Sequence, residues 1–212
     1  MVGYGPYLEL VSEHLGDAEV RASGMRAEVD RARAAVDAAR EGRAVAVVSS
    51  GDAGVYGMAG LVLEVLGEDT SVDVEVVPGI TAALTASAIL GSPLTNDFAS
   101  ISLSDLLTPL PVIESRLRAI ADADLVVALY NPRSNTRTEP LDLALEILLA
   151  ARGPETVVGV VRNAGREGQA ARVTTLGDLD PETVDMFTIM IVGNSLTRIV
   201  GGRMVTPRGY RV

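Results

Sequence analysis

The sequence predicts an α/β fold built on parallel strands, and three observations support this. Residues 44–48 form a short apolar run of the kind that makes a buried parallel strand. A Gly-rich turn at 49–57 and an apolar helix at 58–66 follow it. The same order returns in residues 72–90, where an alternating run precedes a second Gly turn and another apolar helix. Repeated strand, turn and helix units are typical of parallel sheets with right-handed crossovers.

Length and composition limit the kinds of protein that this chain can be. Its 212 residues suffice for one large or two small domains, and the break Gly91-Ser92-Pro93-Leu94 predicts a boundary. We therefore expect an N-terminal α/β domain at 1–94 and a C-terminal one at 95–212. No apolar run approaches the roughly 20 residues of a membrane helix, and no signal peptide is evident, so a cytoplasmic protein without a membrane partner is expected.

The polar composition excludes several chemistries. There is no Cys and one His, which excludes disulfides, cysteine-ligated metals and the usual histidine metal clusters. All 18 basic residues are Arg, so Schiff-base and lysine-nucleophile mechanisms are excluded as well. The net charge of −10, without a basic stripe, argues against nucleic acid as a partner.

The first half of the chain contains further predicted elements. Residues 2–7 are typical of a strand end and turn, with a short helix to about residue 15. Residues 23–43 have helical periodicity, and Gly42 ends that helix. The alternating run at 72–77 predicts a strand, and the helix at 83–90 follows the turn at 78–82.

The second half continues the pattern. Proline-containing helix starts follow Thr108 and Thr138, and the chain end suggests a β-hairpin around Gly201-Gly202. Asp180-Pro181 begins a short turn. The strands predicted here are residues 98–103, 125–130, 157–162 and 187–192.

The turn at 49–57 is a candidate binding loop, because ligands of open α/β sheets bind at the carboxyl ends of the strands. Gly51 allows close approach of backbone to a ligand, and Asp52 offers a carboxylate acceptor. A plain turn is an equally good interpretation from the residues alone, with Asp52 or Thr81 capping the helix that follows. Tyr130 could likewise contact a ligand or pack on the core.

Several runs together resemble the tetrapyrrole methylases of cobalamin biosynthesis. The glycine turns at 49–57 (SSGDAGVYG) and 78–82 (PGITA) match the family at large. The runs at 101–109 (ISLSDLLTP) and 130–134 (YNPRS) resemble the branch that methylates C17 of precorrin-3B, or its cobalt form, and contracts the ring. The run at 24–28 (GMRAE) also matches, so the likeness extends over almost the whole chain.

This resemblance implies a fold, a cofactor and a site. The fold would be two α/β domains, with a mostly parallel N-terminal sheet, a mixed C-terminal sheet and a ligand cleft between them. The N-terminal domain would provide the substrate side and the C-terminal domain the side for the methyl donor, S-adenosylmethionine (SAM). The residues implied to bind SAM are Gly51, Asp52, Val55, Thr81, Ala82, Tyr130, Asn131, Asn163, Ala164 and Gly193.

The resemblance also bears on substrate and assembly. Arg133, Arg137 and Arg166 are candidates for binding the carboxylates of a small tetrapyrrole substrate, against the alternative of solvated surface arginines. A homodimer is implied, and no resident metal. The acid and base for ring contraction are not indicated.

Two departures from the family pattern leave alternatives open. Residues 2–8 resemble the segment after the family's first strand and Gly-Pro-Gly loop, so we expect that unit to be missing and a sheet edge to be exposed. Asn96 stands where a His is expected. A methylase of another tetrapyrrole position, a methylase of protein or RNA, or a non-catalytic SAM-binding remnant are the alternatives. A dinucleotide oxidoreductase is more remote, because no G-x-G-x-x-G opens a helix.

Overall fold

The computed structural model describes residues 1–211 and divides the chain into two compact units, Met1–Thr81 and the part from Ala82 onwards. The division precedes the predicted boundary at residue 94, because helix α4 (Ala82–Leu90) packs on the sheet of the second unit. Gly159 of that sheet makes this close packing possible, since a Cβ there would lie 2.3 Å from Leu90 Cδ1.

The first unit is a parallel sheet with helices, as predicted. Strand β1 is the middle strand, with β2 and β3 parallel to it on either side. Two short elements, helix α1 and a 3₁₀ turn at Ser12–His14, follow β1 directly. The elements are β1 (Val2–Tyr4), α1 (Gly5–Leu10), β2 (Arg21–Ser23), α2 (Glu28–Arg40), β3 (Val47–Val48) and α3 (Ala59–Leu66).

Helix α2 begins later than the periodicity predicts. Residues 21–23 pair with β1 as strand β2, so the predicted helix start at residue 23 is wrong. Ala32 and Val36 of α2 pack with Val62 and Leu66 of α3 in one apolar cluster. The predicted apolar face is therefore only partly the buried one, since Ala32 and Val36 are buried while Val29 is exposed, and the helix starts later than predicted.

The predicted strand at 72–77 is not a strand in the structure. Its alternation is retained only over residues 72–75: Val72 and Val74 pack against the α2–α3 cluster, whereas Val76, which should share their face, is exposed. Among the described residues, however, the parallel sheet ends at β3, and residues 72–77 join no ladder. Alternating side chains indicate which face is buried, but a strand also requires a hydrogen-bonding neighbour.

A surface cluster of charged side chains makes the stability of this unit depend on pH in the acid range. Arg43 and Arg21 both hydrogen-bond the Glu19 carboxylate and lower its pKa from 4.5 to about 2, Arg43 being the largest cause. Because the folded-state pKa is depressed, the stabilisation is complete above about pH 4.5 and is lost as the pH falls towards 2. We expect the melting-temperature difference between the unsubstituted chain and Glu19→Gln to shrink over that range. A difference constant with pH, or one that is undiminished in an Arg43→Gln background, would contradict this.

The second unit has a mixed five-stranded sheet in the order β5-β6-β9-β7-β8. β5, β6 and β7 run in one direction, and β8 and β9 run in the other. Strand β8 was not predicted. The elements of this sheet and its helices are β5 (Phe98–Ser102), α5 (Leu110–Asp122), β6 (Val126–Tyr130), α6 (Glu139–Arg152), β7 (Val157–Arg162), β8 (Ala170–Thr175) and β9 (Thr188–Val192).

A small second sheet completes this unit. β10 (Arg198–Val200) and β11 (Arg203–Val205) form the predicted hairpin through Gly201 and Gly202, which both have positive φ. β11 also pairs with β4 (Gly91–Ser92). The predicted turn at Asp180 is a 3₁₀ turn (Pro181–Thr183), whose first amide donates to Asp180 Oδ1.

The core of the second unit lies on both faces of the five-stranded sheet. α5 and α6 cover one face, and α4 covers the other. Buried apolar side chains from β6, β7 and β9 point to both faces, which is why these strands are continuous apolar runs in the sequence. In the described part of the chain, no helix is both long and apolar enough to cross a membrane.

Candidate functional site

The carboxyl ends of β5, β6 and β7 meet at one edge of the five-stranded sheet. Asn131 directly follows β6 and Asn163 directly follows β7, and both have left-handed backbones, with φ of 49° and 50°. Only β9 separates β6 from β7, so the two asparagines lie on strands about 10 Å apart. Two non-glycine residues in this rare conformation at equivalent positions mark the edge as a candidate site.

Asn131 is held by polar contacts on two sides. Its Nδ2 donates to Ser102 Oγ at 3.0 Å, at the end of the neighbouring strand β5. Its carbonyl oxygen accepts from Arg137 Nη2 at 2.7 Å. The side chain and the backbone of Asn131 are thus both fixed before any ligand arrives.

Helix α4 begins at this same edge. The Tyr130 hydroxyl accepts a hydrogen bond from the Ala83 amide at 2.9 Å, in the first turn of α4. Ala82, Tyr130 and Ala164 pack against one apolar cluster. Tyr130 therefore packs on the core and holds the helix start. Ala82, Tyr130, Asn131, Asn163 and Ala164 thus lie at or beside this edge of the second unit, and their role in binding a ligand stays a prediction.

Gly193 does not join them, and its prediction as a site residue needs correction. It follows β9, which runs antiparallel to β6 and β7, so it lies at the opposite edge of the sheet. It is buried, its amide donates to Val157 O at 2.8 Å, and its carbonyl accepts from Arg152. A Cβ on Gly193 would lie 2.6 Å from Thr197 Cβ, so close packing explains this glycine.

In the first unit, Asp52 ties the two predicted glycine turns together. Its Oδ1 accepts from the Gly54 amide at 2.8 Å, and its Oδ2 accepts from the Gly79 amide at 2.9 Å. These bonds, the one from Gly79 first, lower the pKa of Asp52, so the carboxylate is charged at neutral pH. Gly79 approaches the carbonyl of Gly51 so closely that a Cβ would lie 2.0 Å from its oxygen.

The structure decides against a helix-capping role for Asp52. No side chain caps α3 at its N-cap residue, and the amide of Met58 donates to Ser49 Oγ instead. Val55 lies in the same turn, its amide donating to the carbonyl oxygen of Asp52 at 3.2 Å. Thr81, half-buried, is the last residue of the unit. The Asp52 interactions that join turn 49–57 to Gly79 were not predicted.

The three predicted substrate arginines have different surroundings. Arg137 is not a free fork, because its guanidinium donates to the carbonyls of Leu103 and Asn131 at 2.7 Å each. Arg133 pairs with Glu182, and its side chain is only 14% exposed. Arg166 is exposed, and its amide donates to Asn163 O at 2.9 Å. Arg137 is therefore withdrawn as a substrate ligand, while Arg133 and Arg166 stay predictions.

Beside this edge lies a pocket of about 320 Å³. It is lined by the loop after β6 and the segment before β9, through Arg133, Ser134, Asn135, Glu182, Val184 and Asp185. Charged and polar groups dominate the lining, which suits a polar or charged substituent of a ligand better than an apolar one.

Comparison with known proteins identifies relatives over nearly the whole chain. Residues 2–180 match the family model of the tetrapyrrole (corrin/porphyrin) methylases. A protein of Salmonella typhimurium named probable cobalt-factor III C(17)-methyltransferase is 50% identical over 99% of this chain and 88% of its own. The cobalt-factor III methyltransferase of Priestia megaterium is 47% identical over 100% of this chain, which spans only 40% of that longer protein.

Solved structures agree with these relatives. The crystal structure of the methyltransferase CobJ superposes with a TM-score of 0.89 at 40% identity, covering 97% of this chain and 87% of that one. The cobalt precorrin-4 methyltransferase CbiF superposes with a TM-score of 0.71 at 27% identity, covering 91% of this chain and 82% of that one.

Proposed function

This chain belongs to the tetrapyrrole methylase family, and from that premise we propose that it methylates C17 of a precorrin-3B-type tetrapyrrole with ring contraction, in cobalamin biosynthesis. SAM would be the methyl donor. The observation that carries the proposal is the 50% identity over 99% of the chain to a protein named as a cobalt-factor III C(17)-methyltransferase. That name favours the cobalt form of the substrate.

The first unit fits one part of SAM. The Asp52 carboxylate, kept charged by its lowered pKa, suits the positive charge and hydroxyl or ammonium donors of such a ligand. Gly51 and Gly79 have no side chains, so backbone atoms of the two turns could approach the ligand closely. We propose Gly51, Asp52, Val55 and Thr81 as contacts in this unit.

The second unit fits a planar base. Asn131 and Asn163 offer backbone and amide groups, and the neighbouring Ala82 and Ala164 have small side chains that pack on the apolar cluster. Tyr130 supports the same edge through α4. We propose that Tyr130, Asn131, Asn163 and Ala164 bind adenine and that Ala82 lies near the sulfonium. Gly193 is left out of the set because it lies at the other edge.

When bound, SAM supplies an electrophilic methyl group. The chain's own contribution is to hold donor and acceptor carbon in line and to exclude water, and such positioning contributes up to roughly 7–11 kcal/mol to lowering a barrier. Arg133 and Arg166 are proposed for substrate carboxylates. Arg133 would then leave Glu182 and pair with a substrate carboxylate. The side chain of Glu182 is 75% exposed, so water can solvate its carboxylate once the pair separates.

Calorimetric titration with S-adenosylhomocysteine tests the cofactor proposal. We expect a dissociation constant on the order of micromolar, weakened about tenfold by Asp52→Ala. Asp52→Asn keeps an acceptor oxygen and removes the charge, so its loss should be smaller. A folded chain that does not bind, or binds equally well without Asp52, would contradict the proposed role of this turn.

Methyl transfer itself is measured with radiolabelled SAM and either cobalt-factor III or metal-free precorrin-3B. Transfer to C17 of either compound supports the proposal, and the faster one identifies the natural form. S-adenosylhomocysteine binding without transfer to either compound would favour a SAM-binding protein without this activity. We further propose a cytoplasmic homodimer, for which sedimentation of the full chain gives the oligomeric state.

A further inference from the structure

We propose that Arg137 is a positioning residue, which fixes Asn131 in the backbone conformation required for cofactor binding. This inference rests on the proposed function, since it assumes that Asn131 contacts the adenine. It replaces the prediction that Arg137 binds substrate. Arg137 itself would touch neither ligand.

The guanidinium of Arg137 joins the ends of two neighbouring strands. Nη1 donates to the carbonyl of Leu103, just after β5, and Nη2 donates to the carbonyl of Asn131, just after β6, both at 2.7 Å. The Asp105 carboxylate lies 3.8 Å from Nε. With its side chain only 17% exposed, Arg137 makes these bonds largely out of water, where they are stronger.

The loop between Asn131 and Arg137 is closed by bonds of its own. The Ser134 amide donates to the Arg137 carbonyl at 3.0 Å, and the Arg137 amide donates to Ser134 Oγ at 3.1 Å. The backbone of Arg137 is therefore anchored independently of its guanidinium. Because of this, replacing the side chain should release Asn131 without unfolding the loop.

Asn131 has a left-handed backbone with φ of 49°, and we infer that the Arg137 guanidinium stabilises this conformation. Asparagine tolerates this region better than other side chains do, but a single left-handed conformation is kept only where the surroundings hold it. Ser102 holds the side chain of Asn131, and Arg137 holds its carbonyl. Without Arg137, Asn131 can relax to a negative φ, and the ligand must then restore the binding conformation at the expense of affinity.

The choice of arginine follows from geometry. A planar guanidinium can donate to two carbonyls at once, whereas a lysine ammonium is a single point charge on a flexible stem. Arg137→Lys therefore keeps the charge and loses the bridge. If Arg137 acted by charge alone, as a substrate ligand would, lysine would largely replace it.

The test is calorimetric titration of the full chain with S-adenosylhomocysteine, together with its melting temperature. We expect Arg137→Lys and Arg137→Met each to weaken binding about tenfold. The double variant Asn131→Gly/Arg137→Met should lose less than the sum of the two single losses, because both act through one residue.

Arg152→Lys is the matched control. Arg152 also joins backbone carbonyls of this unit, those of Gly193 and Leu125, but at the opposite edge of the sheet. We expect it to lower the melting temperature at least as much as Arg137→Lys and to leave the affinity of the folded protein unchanged.

Each outcome decides the proposal. Tenfold weaker binding in both Arg137 variants, with Arg152→Lys unaffected, supports it. Unchanged affinity in Arg137→Met, rescue by lysine, or equal weakening in Arg152→Lys overturns it while leaving the proposed function intact. Failure of the unsubstituted chain to bind would overturn the proposed function and this role together.

Discussion

Replacing Gly79 by alanine is expected to lower methyl transfer about 100-fold, because it displaces one turn of the proposed site by about 1 Å. A Cβ at position 79 would lie 2.0 Å from the carbonyl oxygen of Gly51, and real Cβ contacts essentially never fall below 3.0 Å. The contacted atom belongs to the backbone, so no side-chain rotation can relieve the clash. The turns must separate, which also breaks the 2.9 Å bond from the Gly79 amide to Asp52.

The measurement is kcat/KM for SAM beside the affinity for S-adenosylhomocysteine. Gly60→Ala is the matched control, since a Cβ there meets nothing within 4 Å in helix α3. Alanine in a helix is favoured over glycine by about 1 kcal/mol, so Gly60→Ala should be neutral or slightly stabilising. Equal activity in the two variants would show that the close approach of the turns does not matter for function.

The fold of the second unit could be predicted largely from the sequence, because its strands and helices are long and strongly apolar. β6, β7 and β9 are buried on both faces and read as continuous apolar runs. Strand β8 escaped prediction because its side chains are exposed or half-buried and it pairs only with β7. Strand β8 forms because β7 lies beside it, and the local sequence pattern does not show which strand will be a neighbour.

Strand direction explains the error at Gly193. The sequence shows that a turn follows an apolar strand, but only strands with the same direction bring their ends to the same edge. Asn131 and Asn163 follow the parallel strands β6 and β7, whereas Gly193 follows the antiparallel β9. The residue type could have indicated which turns share an edge, because asparagine tolerates the left-handed conformation seen at Asn131 and Asn163.

The roles of the arginines depend on tertiary contacts, so composition could not assign them. Arg137 follows shortly after the run at 130–134 that resembles the ring-contracting branch, yet its donors are used by backbone carbonyls. The same applies to Asp52, whose carboxylate links two turns that are distant in sequence. Sequence could indicate that these residues matter at the site, and only the structure gives the contacts through which they act.

Arg152→Met is expected to destabilise the second unit by about 3–4 kcal/mol, because a charged donor serving several carbonyls is lost. Its Nη1 donates to Gly193 O at 2.7 Å, and its Nη2 donates to Leu125 O at 2.6 Å and to Ile120 O at 3.2 Å. These carbonyls lie in the last turn of α5, just before β6 and just after β9. One side chain thus joins three segments, and a neutral thioether would leave their oxygens without this donor.

The loss should appear as a fall of roughly 10 °C in melting temperature. Arg152→Lys should lose about half as much, since an ammonium keeps the charge but not the fork. Arg118→Met is the control, because Arg118 forms an exposed i,i+4 pair with Glu114, worth roughly 0.3–0.5 kcal/mol. If Arg152→Met lowers the melting temperature no more than Arg118→Met does, water must hydrogen-bond the carbonyls in the variant. Other contacts must then hold the ends of α5 and β9 together. The bonds of Asp124 to the amide and hydroxyl of Ser195 join the same segments, so Asp124→Ala in the Arg152→Met background would then reveal the shared role.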